Sequence, residues 1–242
     1  MTHALSYDLH IHSCLSPCAD DDMTPCDIAG MAHVKGLDII ALTDHNTCRN
    51  ARAVMEAALP FGITVLPGME LTTSEEVHVL FLFAYLADAM RFDSYVYERL
   101  IKVVNNPAYF GRQLLMNEKD VVTGEEEMLL SNATTISFDD CTRLAKEFGG
   151  IAVPAHLEKE TTSLLSNLGT IPPDADFVCA EINHPDRIDA LKKAHPYLEK
   201  VRILTDSDAH MLGNIAEPDH TLVFPNEHPA PEEILMLLQS PL

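Results

Sequence analysis

Tryptophan is absent from the 242 residues, and aromatic residues make up only 6% of them. Basic residues are scarce as well: 16 Lys and Arg stand against 37 Asp and Glu, a formal charge of −21 with histidine neutral. A protein that lives on attraction to a phosphate backbone needs a basic face. The deficit argues against long double-stranded nucleic acid and anionic membranes as partners. No apolar run approaches the roughly 18–20 residues of a membrane span, and the opening MTHALSYDLHIH has neither the basic start nor the apolar core of an export signal. A cytoplasmic address is therefore expected. Without an export signal, the six cysteines read as thiols rather than disulfides. Internal repeats and low-complexity tracts are also lacking. With 47% hydrophobic residues the chain can bury a substantial core.

Short apolar runs alternate with helical stretches. Tyr7 to Ile11, Leu37 to Thr43, Ile63 to Leu66, Val77 to Tyr85, Ile151 to Pro154, Phe177 to Ile182 and Val201 to Leu204 read as strands. Pro25 to Val34, with Thr24 as N-cap, Thr47 to Leu59 and Pro231 to Gln239 read as helices. This alternation predicts an α/β fold on a parallel sheet, closed or doubly wound. Between about Asp88 and Asp140 the pattern turns polar, with a small hairpin turning near Thr123-Gly124. We read that stretch as an insertion within one domain spanning 1–242.

What the sequence has in quantity is histidine, 12 copies, and their positions carry the argument. In His10-Ile11-His12 the two imidazoles share one face of a strand, either as half of a metal site or as a hydrogen-bonded pair. Asp208-Ala209-His210 repeats the spacing after VRILT, and imidazole with carboxylate is a set that zinc, manganese and ferrous iron accept. Thr43-Asp44-His45-Asn46 closes LDIIALT, at the strand end where parallel α/β folds build their sites. An Asx turn would explain Asp44 and Asn46 but not His45. Glu70 follows a glycine turn, and His78 lies in the apolar EEVHVLFLFAY, where an unpartnered imidazole is costly. His156 follows the apolar IAVPA. Six imidazoles and two carboxylates exceed what one metal can use.

In order, DLHIHS, TDHN, GMELT, HVL, PAH and SDAH resemble the polymerase and histidinol phosphatase (PHP) superfamily of metal-dependent phosphoesterases. The resemblance covers roughly Tyr7 to His210 and implies a distorted (β/α)7 TIM-like barrel with two or three divalent ions, zinc, manganese or iron, at the strand C-terminal ends. It implies one metal on His10, His12, Glu70 and Asp208 and a second on Glu70, His78 and His156, with Glu70 bridging. A third would sit on His45, His210 and one residue from the loop after the first strand. Relatives commonly read S-D-G-x-L-T-P there, with the aspartate as ligand, whereas this chain reads the longer SPCADDDMTP. Counting back from Thr24-Pro25 selects Asp20, with Asp22 as the alternative. Cys14 and Cys18 share that loop, as soft-metal ligands or as structural thiols.

The implied reaction is hydrolysis of a small phosphomonoester, a nucleotide or related phosphometabolite, by water that the divalent ions acidify. Asp44 is a candidate general acid, or a carboxylate orienting a ligand imidazole. Arg49 and Lys159 are candidate phosphate anchors, and His184 a candidate substrate contact. A positive pocket inside an acidic shell would admit a compact phosphoester and turn away a long polyanion. Alternatives are exonuclease-like trimming of short oligonucleotides, histidinol-phosphatase-like activity, an amidohydrolase-like barrel, and a metal-binding barrel without turnover. The oligomeric state leaves no sequence signature.

Overall fold

The structure, a computed structural model, describes residues 2–240, so the outermost positions of the domain expected over 1–242 lie outside it. Ten strands are described: β1 (His3–Ile11), β2 (Ile39–Leu42), β3 (Thr64–Thr72), β4 (His78–Phe83), β5 (Leu114–Met116), β6 (Val122–Glu125), β7 (Gly150–Pro154), β8 (Cys179–Glu181), β9 (Arg202–Leu204) and β10 (Thr221–Phe224). The α-helices are α1 (Pro25–Lys35), α2 (Ala51–Ala58), α3 (Leu86–Tyr97), α4 (Pro107–Phe110), α5 (Cys141–Glu147), α6 (Leu164–Leu168), α7 (Ile188–Ala194) and α8 (Pro231–Gln239).

Six strands form a curled sheet in the order β10-β1-β2-β3-β4-β7. The parallel pair β8-β9 sits between its ends, through Leu157 N–H to the Glu181 carbonyl at 3.0 Å on one side and His12 N–H to the Ala209 carbonyl at 2.9 Å on the other. The result is a mixed α/β fold of the distorted-barrel kind. It is not wholly parallel: β4 runs antiparallel to both β3 and β7. Only Thr73 to Val77 joins β3 to β4, and a parallel return needs a crossover of a dozen or more residues.

Local chemistry sets the boundaries. Thr24 caps α1 by accepting the Asp27 N–H at 3.3 Å, with Pro25 at the first helical position. α2 begins later than Thr47 because Asp93 of α3 accepts from Thr47 Oγ1 at 2.7 Å and Cys48 N–H at 2.8 Å, holding those residues in a turn. Pro67-Gly68 does not turn, and β3 runs on through Glu70 to Thr72. Gly68 is required there, since a Cβ would lie 2.6 Å from the Phe81 carbonyl oxygen of β4.

α8 closes one end of the barrel: Ile234, Leu235 and Leu238 pack with Leu5, Ile39 and Ile151 near the strand starts. α3 belongs with the sheet, its Ala89, Phe92 and Val96 packing with Phe81 and Phe83 of β4. The chain beyond α3 lies over the other end, where Leu100 and Leu130 pack on Leu15. The expected hairpin is β5-β6, but it turns at Asn117 to Val121 with Asp120 left-handed at φ 57°, and Thr123-Gly124 lie within β6. No helix among the described residues is long and apolar enough to cross a membrane.

Candidate metal centre

The histidines gather at the end opposite α8. His10 and His12 leave β1, where the register with β2 shifts between Asp8 and Ile11, so that Leu9 and Ile11 enter different apolar clusters. His45 pairs in parallel with Glu70 of β3, His78 starts β4, and His156 follows β7. The segment 208–210 lies against β1 through the Ala209 N–H to the His10 carbonyl at 3.2 Å. Asn46, His156 and Asp208 all take left-handed backbone, at φ 51°, 30° and 52°.

Glu70, 1% exposed, is the hub. Its Oε1 lies 2.8 Å from His78 Nδ1, 3.0 Å from His156 Nε2 and 3.5 Å from His10 Nε2. Its Oε2 lies 3.0 Å from His45 Nδ1 and 3.3 Å from His12 Nε2. Asp208 Oδ1 is 3.3 Å from the Nε2 of both His10 and His12, whose own Nε2 atoms are 3.1 Å apart. Metal–nitrogen bonds of about 2.1 Å at right or tetrahedral angles put neighbouring donors roughly 3.0–3.4 Å apart. Most of these separations match the donor spacing that a shared ion would need. The groups able to hold an ion are His10, His12, Glu70 and Asp208; His45, Glu70 and His78; and His12, His45 and His210. Glu70 Oε2, Asp208 Oδ1 and His45 Nδ1 are buried without a hydrogen-bond partner, the state of atoms aimed at a cation.

Supporting residues fix the imidazoles. Ser16 Oγ spends its only proton on Asp44 Oδ1 at 2.7 Å, so at 2.9 Å it can only accept from His12 Nδ1–H, which leaves Nε2 free to ligate. His10 Nδ1–H donates to Glu181 Oε1 at 2.9 Å, and His210 Nδ1–H to the Asp208 carbonyl at 2.8 Å, with the same effect. Glu181 Oε2 also accepts the His156 N–H at 2.7 Å, clamping two strand exits with one fully buried carboxylate. Ser16→Ala should weaken metal affinity by about 10- to 100-fold, as loss of such a partner does. Titration with a competing chelator would check this, and unchanged affinity would contradict the role.

The electrostatics follow from this crowding. Burial pushes the Glu70 carboxyl up, but the charges of His78, His10 and His45 overcome it and hold the group well below the usual carboxylate range. Burial opposes a charge on His10, yet Glu181, Asp208 and Glu70 raise it well above an ordinary imidazole. Asp206, whose Oδ1 accepts the Leu9 N–H at 2.6 Å, is pushed well up by burial and by Glu181 and Asp8. Ser16, Glu181, Asp8 and Asp206 escaped the sequence reading, where they are ordinary polar residues near strand ends.

Several expected site residues fall elsewhere. Asp20 and Asp22 are exposed, and no ion pair joins either carboxylate to a histidine. Asp44 is fully buried and spends both oxygens on Ser13 and Ser16, so it is not placed as a general acid; it reaches His12 only through Ser16. Arg49 pairs through Nη1 with Glu126 at 2.7 Å and through Nε with Thr47 at 3.0 Å, while its Nη2 is buried without a partner. His184 is exposed, held by its N–H to Glu158 Oε1 at 2.8 Å, and its ring joins no cluster. Lys159 does reach the centre, paired with Asp208 Oδ2. Cys14 is a buried thiol against the Leu114 carbonyl. Burial works against ionisation of Cys18, but the charge of the nearby His45 imidazole brings its thiol down to about 5.

A curled α/β barrel carrying a histidine–carboxylate cluster able to hold metal at one end defines a class of metal-binding proteins. The PHP domain matches residues 8–154, and the chain belongs to that family. It is 33% identical to the 5'-3' exoribonuclease of Haemophilus influenzae over 31% of this chain and 27% of that protein. It is 36% identical to an uncharacterized protein of Methanocaldococcus jannaschii over 31% of this chain and 49% of that one. The chain thus spans less than half the length of these curated relatives. Among solved structures, the lesion-specific endonuclease Q of Pyrococcus furiosus has a TM-score of 0.59 at 19% identity, covering 87% of this chain and 49% of its own. An endonuclease Q in complex with a 27-mer duplex substrate, an abasic lesion at its active site, gives 0.62 at 20%, over 87% and 50%. A protein of Bifidobacterium adolescentis described as a metal-dependent phosphoesterase gives 0.57 at 18%, over 98% of both chains.

The endonuclease Q complex overturns the exclusion of duplex nucleic acid drawn from net charge, because the same fold works there on a 27-mer duplex. A net charge of −21 sums the whole surface. The field a strand meets is set within about 8 Å of the contact at physiological salt, so the sum excludes nothing.

Proposed function

We propose that this chain is a metal-dependent phosphoesterase whose substrates are phosphomonoesters of nucleotides or related metabolites. The observation that supports it is the convergence of five imidazoles on the one carboxylate of Glu70. Two or three ions drawn from zinc, manganese and iron would supply acidified water and neutralise charge on the phosphoryl oxygens. His10, His12, Glu70 and Asp208 would hold one ion, Glu70, His78 and His156 a second, and His45 with His210 a third. Lys159, half-exposed beside Asp208, would meet a phosphate oxygen at the rim. The barrel is read as one domain, with the chain between α3 and α5 as an insertion over the mouth.

A second reading, end-trimming of short oligonucleotides, is favoured by the likeness to an exoribonuclease. Protein purified without chelator should carry about two or more metal equivalents. With manganese it should release phosphate from nucleoside 3'- or 5'-monophosphates and turn over p-nitrophenyl phosphate faster than its bis ester. Preference for the bis ester, with shortening of oligonucleotide ends, would favour the second reading. Less than one equivalent, or no turnover of either ester, would overturn both.

A further inference from the structure

Asn50 stands at the N-cap of α2, where an asparagine ordinarily accepts an N–H of the first helical turn, yet it makes no such bond. Its side chain is fully buried and spends every polar atom elsewhere. Nδ2 donates to Ser13 Oγ and to the Leu114 carbonyl, both at 3.0 Å, and Oδ1 accepts the Met116 N–H at 3.1 Å. These partners fix the amide orientation, because a carbonyl can only accept and Ser13 Oγ gives its one proton to Asp44 Oδ2 at 2.7 Å. On the far side of Asp44, Ser16 Oγ accepts both the His12 Nδ1–H at 2.9 Å and the His45 N–H at 3.1 Å. An unbroken hydrogen-bonded path thus joins β5, in the chain over the mouth, to two of the clustered histidines. Its four intermediate side chains, Asn50, Ser13, Asp44 and Ser16, are all fully buried.

β5 is also seated on the loop that carries Ser13 and Ser16. Leu114 N–H donates to the Cys14 carbonyl at 2.9 Å, and a Cβ at Gly111 would overlap the Pro17 carbonyl oxygen. Asn46 makes a parallel tie: its Nδ2 donates to the Leu130 and Asn132 carbonyls at 2.6 and 2.9 Å, and its Oδ1 accepts the Thr72 N–H of β3 at 2.9 Å. Both asparagines that follow His45 therefore spend their amides on the backbone of the chain over the mouth.

Building on the phosphoesterase reading, we propose that Asn50 is a positioning residue for the metal centre, coupling β5 to His12 and His45 through Ser13, Asp44 and Ser16. It touches no candidate ligand itself. Without its amide, the Leu114 carbonyl loses a buried donor and Ser13 Oγ is free to turn away from Asp44. Asp44 then holds Ser16 less firmly, and Ser16 is the acceptor that keeps the His12 proton on Nδ1 and its Nε2 turned to the metal. The chain over the mouth is in this way part of what holds the ligands at their spacing.

Manganese(II) binding to the intact protein, measured by competition with a chelator well below the melting transition, tests this without turnover. Asn50→Ala is expected to weaken binding by about 10- to 100-fold, as loss of a ligand's supporting partner does. Ser13→Ala, which leaves Asn50 its two bonds to β5, should weaken it to a similar degree and decides alone if Asn50→Ala does not fold. The double variant should lose no more than the larger single effect, because both changes cut one path. Phe81→Ala, destabilised through the core, should bind as the wild type does. A loss smaller than about tenfold in Ser13→Ala or in folded Asn50→Ala, summed losses in the double variant, or an equal loss in Phe81→Ala would each overturn the assignment while leaving the phosphoesterase reading intact. A wild type that binds no manganese would overturn both.

Discussion

Glu70→Gln is expected to lower turnover of a phosphate ester by about 10³-fold and to remove at least one metal equivalent. Glutamine keeps the shape and burial of the side chain, so the barrel should fold. It exchanges one carboxylate oxygen for an amide nitrogen that carries two protons and no available lone pair. Each Glu70 oxygen faces imidazole nitrogens between 2.8 and 3.5 Å away, so one of the two sets of partners loses its acceptor whichever way the amide turns. Metal ions contribute several kcal/mol to charge stabilisation in such reactions, and about 4 kcal/mol corresponds to about 10³ in rate. Elemental analysis alongside steady-state kinetics would check the result. A variant with full metal content and activity within tenfold of wild type would show that Glu70 bridges nothing.

Phe81→Ala should cost about 3–5 kcal/mol of stability. Phe81 is fully buried on β4 and stacks on Phe92 of α3 with ring centroids 4.3 Å apart, in a cluster that also holds Phe83 and Phe148. Removing it leaves a cavity between sheet and helix that β4, hydrogen-bonded on both edges, cannot move to fill. For a chain of this size, 1 kcal/mol shifts the melting temperature by roughly 2–4 °C, so a drop of about 6–20 °C is expected. The melt should be followed at fixed metal concentration, because an ion bound to the folded state raises the apparent midpoint. A drop of less than about 2 °C would mean that the cavity closes. Metal stoichiometry below the transition should not change, since Phe81 faces the helices and the ligands lie at the strand exits.

The residues that gather around Glu70 were legible for a physical reason. An imidazole next to an apolar strand is costly unless it has a partner, so His10, His45, His78 and His156 stand out against LDIIALT, HVLFLF and IAVPA. Most barrel strands were legible from the same apolar runs, but not β10, whose TLVF alternates exposed and buried residues. Long-range choices were not. Nothing local says that Arg49 finds Glu126 in the chain over the mouth, or that Glu181 reaches both His10 and His156. The reversal of β4 is encoded only in the shortness of its connection, and the run through Pro67-Gly68 only in the closeness of Phe81. In the loop after β1, alignment to a family pattern selected Asp20, but the turn at Ser16 to Ala19 and the Asp20 N–H to the His210 carbonyl leave the Asp20 side chain exposed. Spacing along a chain cannot resolve which of several neighbouring donors a turn presents.

The left-handed backbone at Asn46, His156 and Asp208 gives the two ends of the barrel different evolutionary freedoms. Non-glycine residues in that region carry a cost of order 1–3 kcal/mol each, a deficit that the packed clusters of the barrel must offset. Glycine would relieve it, so selection for a sturdier chain pulls toward glycine at the same positions where chemistry requires a side chain. Stability-seeking substitutions should therefore be tolerated at the α8 end and should erode metal retention when they reach His156 or Asp208.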